Sequence, residues 1–162
     1  MRQLPFVVAS LLVLFSVSGA WAAGFAAELN VTEGKAAQLA KSVASHDSRP
    51  GSHRITLEAS VNGAFTAKWN VTRTDPAEAK DVLVHFYVVK LDRPGQAPPA
   101  LDPAKVAIES ALTMDFAQGR TSNAAQQFRL EEPGVYLVRI EAGGDPDKPG
   151  QADYAEIELS VK

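Results

Sequence analysis

From residue 55 to the C-terminus, apolar side chains recur at every second position in short runs separated by turn-forming residues. Ile55, Leu57, Ala59 and Val61 alternate with polar neighbours, and Phe65, Ala67, Trp69 and Val71 do the same. A period of two sends successive side chains to opposite faces, so each run predicts a strand with one buried side. Five further runs follow, at 82–89, 106–116, 127–130, 135–140 and 155–161. The run at 82–89 is apolar on both sides. Val82, Val84, Phe86 and Val88 face one way, and Leu83, His85, Tyr87 and Val89 the other. That pattern predicts a central strand covered on both faces. Between the first two strands, Asn62-Gly63 is a hairpin signal. A two-residue turn would put Val61 and Phe65 on opposite faces, so the pattern predicts a three-residue connection or a bulge.

Seven short strands in about 110 residues, without a helical pattern, predict an all-β fold: a seven-stranded antiparallel two-sheet sandwich over residues 53–162. Glu132-Pro133-Gly134-Val135-Tyr136 leads into the strand at 135–140. The segment resembles the approach to the penultimate strand of immunoglobulin-like and fibronectin type III-like bacterial secreted β-sandwich domains. The resemblance implies that Tyr136 hydrogen-bonds back across the corner. Val138 stands where the antibody-type fold has a disulfide cysteine, so the likeness extends to the disulfide-free relatives. It implies a fold and not an activity.

The N-terminus reads differently. Arg2, an uncharged stretch from Leu4 to Ala23 and a closing Ala20-Trp21-Ala22 predict a cleaved signal peptide over residues 1–22. The mature chain is then expected to begin at Ala23 or Gly24, without a membrane anchor, in the periplasm or outside the cell. The absence of cysteine closes the lipoprotein route and leaves no disulfide. Residues 23–52 read as a leader with an edge strand at 26–32 or a helix at 33–44, ended by His46-Asp47-Ser48-Arg49-Pro50-Gly51-Ser52. The 16 basic residues are balanced by 19 acidic ones and form no cluster, so neither nucleic acid nor an anionic membrane surface is an expected partner. Asn30-Val31-Thr32 and Asn70-Val71-Thr72 match a glycosylation acceptor pattern and read as chance matches in a bacterial chain.

No Gly-x-Ser-x-Gly turn frames a nucleophile, so no catalytic residue and no cofactor are assigned. His46, His53 and His85 lack the close spacing of metal ligands, with or without Met114, and no metal site is assigned. Asp145, Asp147 and Asp153 read as an ordinary polar loop rather than a calcium site. The strongest candidate is a surface. If the strands around Phe86, Val138 and Leu159 are neighbours, then Leu83, His85, Tyr87, Leu137, Arg139 and Tyr154 share one outer face. So mixed a patch is expected to be covered. Its cover is either the leader, through Leu39 and Val43 or through Leu29 and Val31, or a protein partner or second copy. The Pro-rich loop at 93–105 is a second place for recognition. The chain thus reads as an exported non-catalytic binding module. Its alternatives are a carbohydrate-binding domain, against which the core position of Trp69 counts, and a periplasmic copper chaperone.

Overall fold

The computed structural model describes residues 24–34, 36–41, 55–74, 81–96, 103–116, 119–143 and 153–162. The predicted signal peptide, and His46 and His53, lie outside the described residues. Among the described residues nine strands are present: β1 (Phe25–Glu33), β2 (Ala36–Lys41), β3 (Ile55–Ala59), β4 (Ala64–Arg73), β5 (Asp81–Leu91), β6 (Val106–Asp115), β7 (Thr121–Arg129), β8 (Gly134–Ala142) and β9 (Asp153–Val161). They form a four-stranded sheet in the order β2-β1-β4-β7 and a five-stranded sheet in the order β3-β9-β8-β5-β6. The fold is the all-β, two-sheet sandwich that the alternation predicts. No helix among the described residues is long and apolar enough to cross a membrane.

Three expectations are corrected. Residues 25–41 are not a leader standing apart from the domain. They are β1 and β2, and β1 lies inside its sheet between β2 and β4, so it is neither an edge strand nor a helix. The reason is its own alternation: Phe25, Ala27, Leu29 and Val31 are all buried in the gap between the sheets. Second, β3 and β4 form no hairpin, because they belong to different sheets. Asn62 takes a positive φ of 61°, and its N–H donates to the Leu130 carbonyl as the chain crosses between layers. The apolar sides of the two strands therefore never had to share one sheet face; each points into the gap from its own layer. Third, the sheets are not wholly antiparallel, since β3 runs parallel to β9.

Smaller departures have local causes. β7 begins at Thr121, six residues earlier than the apolar run suggests, because only Phe128 of that strand is buried and the polar start pairs with β4 all the same. A bulge in β6 opposite Val88 and Val89 turns Val106 to the outer face, away from Ile108. Bulges of this kind shift alternation by one residue.

The core is aromatic across the layers. Trp69 of β4 stacks on Phe86 of β5 with ring centroids 5.3 Å apart, Phe128 of β7 meets the same Phe86 at 6.0 Å, and within the four-stranded sheet Phe65 stacks on Phe128 at 5.2 Å. Pairs at such spacing add to the stabilisation from area burial. At the corner before β8, the Tyr136 hydroxyl donates to the Glu132 carbonyl at 3.1 Å, as the local motif implies. Gly134 holds φ at +149°, and a Cβ there would stand 3.0 Å from Cε of Lys90, so the corner requires glycine. Tyr136→Phe is expected to lower stability by about 1 kcal/mol, the net worth of one hydrogen bond, in a urea melt.

Candidate functional site

The order β9-β8-β5 places the six candidate residues on the outside of the five-stranded sheet. Tyr87 is opposite Arg139, Arg139 is opposite Glu156, and Glu141 lies between His85 and Tyr154. Alternation then sends Leu83, His85, Tyr87, Leu137, Arg139 and Tyr154 to one face, with Glu141, Glu156 and Glu158 among them. The structure brings all six together but does not expose them alike. Tyr87, Leu137, Arg139 and Tyr154 are buried, His85 is half-buried, and only Leu83, 40 % exposed, is open to solvent. Neither version of a leader cover holds as drawn. Leu29 and Val31 point into the core, and residues 36–41 are a strand of the opposite sheet rather than a helix. Val43 lies outside the described residues.

Arg139 organises the polar part of the face. Its Nε donates to Glu141 Oε1 at 2.7 Å and its Nη1 to Glu156 Oε2 at 2.8 Å. The guanidinium also lies over the Tyr154 ring, 3.7 Å from the centroid. Tyr87 Oη donates to the same Glu141 oxygen at 2.7 Å. Burial works against the Arg139 charge, but Tyr87, Glu141 and Glu156 outweigh it and hold its pKa above the ordinary guanidinium value. Such a planar cation between two carboxylates suits arginine and not lysine.

Burial also pushes the Tyr87 phenol above its ordinary range; Arg139 opposes this shift, and Glu141 adds to it. The native state thus holds the phenolic proton more tightly than the unfolded chain, whose tyrosines ionise near pH ~10. The stability linked to this group is full below about pH 10 and is lost as pH rises through the higher native value. In a tyrosinate absorbance titration, Tyr87→Phe is expected to remove a late phase.

Sequence reasoning missed Glu158. Its carboxylate accepts the Gly95 N–H at 2.8 Å and the Thr56 hydroxyl at 3.5 Å. The start of the Pro-rich loop is thereby tied to the outer face. Lys105 clamps the same loop by donating to Asp92 at 2.8 Å, which holds the Asp92 carboxyl below its usual range. The alternation of β9 already puts Glu158 beside Glu156; the loop contact has no signal in the sequence. A separate cleft of about 380 Å³ opens near the tyrosine corner, lined by Lys90, Lys105, Arg129 and Tyr136 among others. Lys90 is paired there with Glu132 at 2.6 Å.

The chemistry of the cluster is one guanidinium, two carboxylates bound to it and a phenol that stays protonated. Among the described residues, no group of three or more His, Cys, Asp or Glu is arranged to hold a metal ion. Met114 is buried in the core, and Asp153, the one described member of its trio, accepts the Phe25 N–H at 3.0 Å. Trp69 is buried in the stack on Phe86 and offers no platform at the surface.

No family model matches the chain, and no curated protein matches it. Among solved structures it is similar to the PmoD soluble domain from Methylocystis sp. ATCC 49242 (Rockwell). That match has 11% identity and a TM-score of 0.48, covering 84% of this chain and 90% of the other. The CARDB domain of the PF1109 protein from Pyrococcus furiosus, solved in complex with di-metal ions, matches at 8% identity and a TM-score of 0.45, over 84% and 87% of the two chains. A β-glucosidase from Listeria innocua, in complex with gluconolactone, matches at 10% identity and a TM-score of 0.37, over 83% of this chain and 16% of that one.

Proposed function

We propose that this chain is an exported, non-catalytic module of immunoglobulin-like character that binds a protein partner through the outer face of its five-stranded sheet. The observation that carries the reading is the difference between the two outer faces of one sandwich. Outside the four-stranded sheet stand Thr66, Lys68, Asn70 and Thr72 beside Thr121 and Asn123, polar and charged residues of the kind that solubility alone requires. Outside the five-stranded sheet stand Tyr87, Arg139, Glu156 and Tyr154, withdrawn from water. Taking an arginine and a glutamate out of water costs several kcal/mol per ion before their attraction offsets it. Closing the sandwich does not require that expense. Leu83, exposed beside Thr113 of β6, marks the margin at which a partner reaches this face.

Export is supported by the basic start, apolar stretch and Ala20-Trp21-Ala22. Expression of the full chain in an exporting bacterial host should yield a product whose mass starts at Ala23 or Gly24. Affinity capture from the exported fraction should then recover one specific protein, and Leu83→Asp should abolish recovery without moving the thermal midpoint. Recovery of glycan, or of nothing, sinks the reading.

A further inference from the structure

Each sheet of the sandwich ends in two edge strands, and the four edges differ. β3 has five residues and β2 six, ending in Lys41, while β7 is polar along most of its length and ends in Arg129. β6 has ten residues, Val-Ala-Ile-Glu-Ser-Ala-Leu-Thr-Met-Asp, with no proline, glycine, lysine or arginine. Proteins that avoid edge pairing use lysine and other charges, proline, bulges or short edges; β6 has its bulge beside Val106, but from Ile108 to Met114 it runs unbroken with a single charge, Glu109, on the outward side. β6 pairs with β5 along one side and is the last strand of its sheet. Its inward residues Ile108 and Leu112 pack on the core yet remain half-buried, so the sandwich is open along this side.

We propose that two copies of this chain associate by antiparallel pairing of their β6 edges, joining two five-stranded sheets into one. In an antiparallel pair, opposed residues turn their N–H and C=O groups either both inward or both outward. Two identical strands related by a two-fold axis must therefore be centred on a residue, not between two. Centring on Glu109 opposes it to its own copy, and centring on Leu112 opposes Glu109 to Asp115; both place like charges face to face. Centring on Ser110 opposes Ile108 to Leu112 twice and sets Glu109 against Ala111, so apolar meets apolar and no like charges are directly opposed. Centring on Ala111 instead faces Leu112 with Ser110. The two-fold at Ser110 is the register that the side chains favour. It uses the in-plane edge and leaves the proposed partner face alone.

The chain contains no cysteine, so single-cysteine variants report cleanly. In this register Ala111 and its copy are diagonal neighbours, about 7–8 Å apart, whereas Thr113 and its copy are about 20 Å apart. Both positions are exposed. With the full chain purified from an expressing host, sedimentation equilibrium should show a concentration-dependent mass twice that of one chain. Ser110→Lys, which points a charge inward at the edge, should yield monomer. A short bifunctional thiol reagent should cross-link Ala111→Cys into dimers and leave Thr113→Cys monomeric, a readout that stands even if Ser110→Lys fails to fold. A chain that remains monomeric at the highest concentration it tolerates, a dimer that survives Ser110→Lys, or equal cross-linking at 111 and 113 would overturn the proposal.

Discussion

A chain lacking residues 24–33 is expected not to fold. β1 lies between β2 and β4, so its removal deletes two ladders and takes from β2 the neighbour to which it is hydrogen-bonded. Phe25, Leu29 and Val31 leave the core together, and burial of each such side chain contributes about 1.5–3 kcal/mol. Their combined loss, roughly 5–9 kcal/mol, is comparable with the whole stability of a domain, about 5–15 kcal/mol. Anchoring contacts go as well: Phe25 stacks on Phe116 at 5.8 Å, and its N–H donates to the buried Asp153 carboxylate. With no disulfide to restrain the unfolded chain, nothing covalent offsets the loss. The truncated protein should show no cooperative urea transition and a poorly dispersed proton spectrum. A cooperative melt with native dispersion would mean that residues 24–33 are dispensable after all.

What the sequence made legible was the side each residue faces; what it left open was the strand against which each residue lies. Phe86, Val138 and Leu159 announce a buried face by alternation alone, and Tyr136 announces its corner through a five-residue motif. The outer face of the five-stranded sheet was legible as a set for the same reason, because period two and one assumption about neighbours suffice to collect Leu83, His85, Tyr87, Leu137, Arg139 and Tyr154. Burial was less so. Alternation puts Arg139 on this face, but only the register sets its guanidinium between two carboxylates and over Tyr154. The hairpin between β3 and β4 failed because Asn62-Gly63 encodes a tight turn but not whether the chain returns to the same sheet or crosses to the other. The alternation from Phe25 to Val31 is clean, but helix-favouring residues after Glu33 and the breaker at 46–52 make the segment read as a leader. Local propensity misled there, and long-range pairing with β4 decided the outcome.

Arg139→Met should destabilise the chain by about 3–5 kcal/mol, the usual cost of removing one member of a buried ion pair. The guanidinium donates to Glu141 and to Glu156, and Glu156 is only 4 % exposed, so water cannot replace the lost donor there. Glu141 sits nearer solvent and keeps the Tyr87 hydroxyl as a donor, so its share of the loss is smaller. The loss of the cation over Tyr154 adds a further contribution in the same direction. If the penalty comes from a buried carboxylate that has lost the guanidinium, then replacing both members should restore much of it. Arg139→Met combined with Glu156→Met is therefore expected to be more stable than Arg139→Met alone, since apolar pairs of similar volume often equal or exceed a buried ion pair. Urea unfolding of the wild type, both single variants and the double variant closes the cycle, and an interaction energy on the order of 2 kcal/mol or more is expected for residues in direct contact. A double variant no better than the sum of its singles would show that packing of the arginine stem, and not its charge, holds this face together. Restored stability together with lost partner capture would instead separate the contribution of the ions to stability from the proposed contribution of this face to binding.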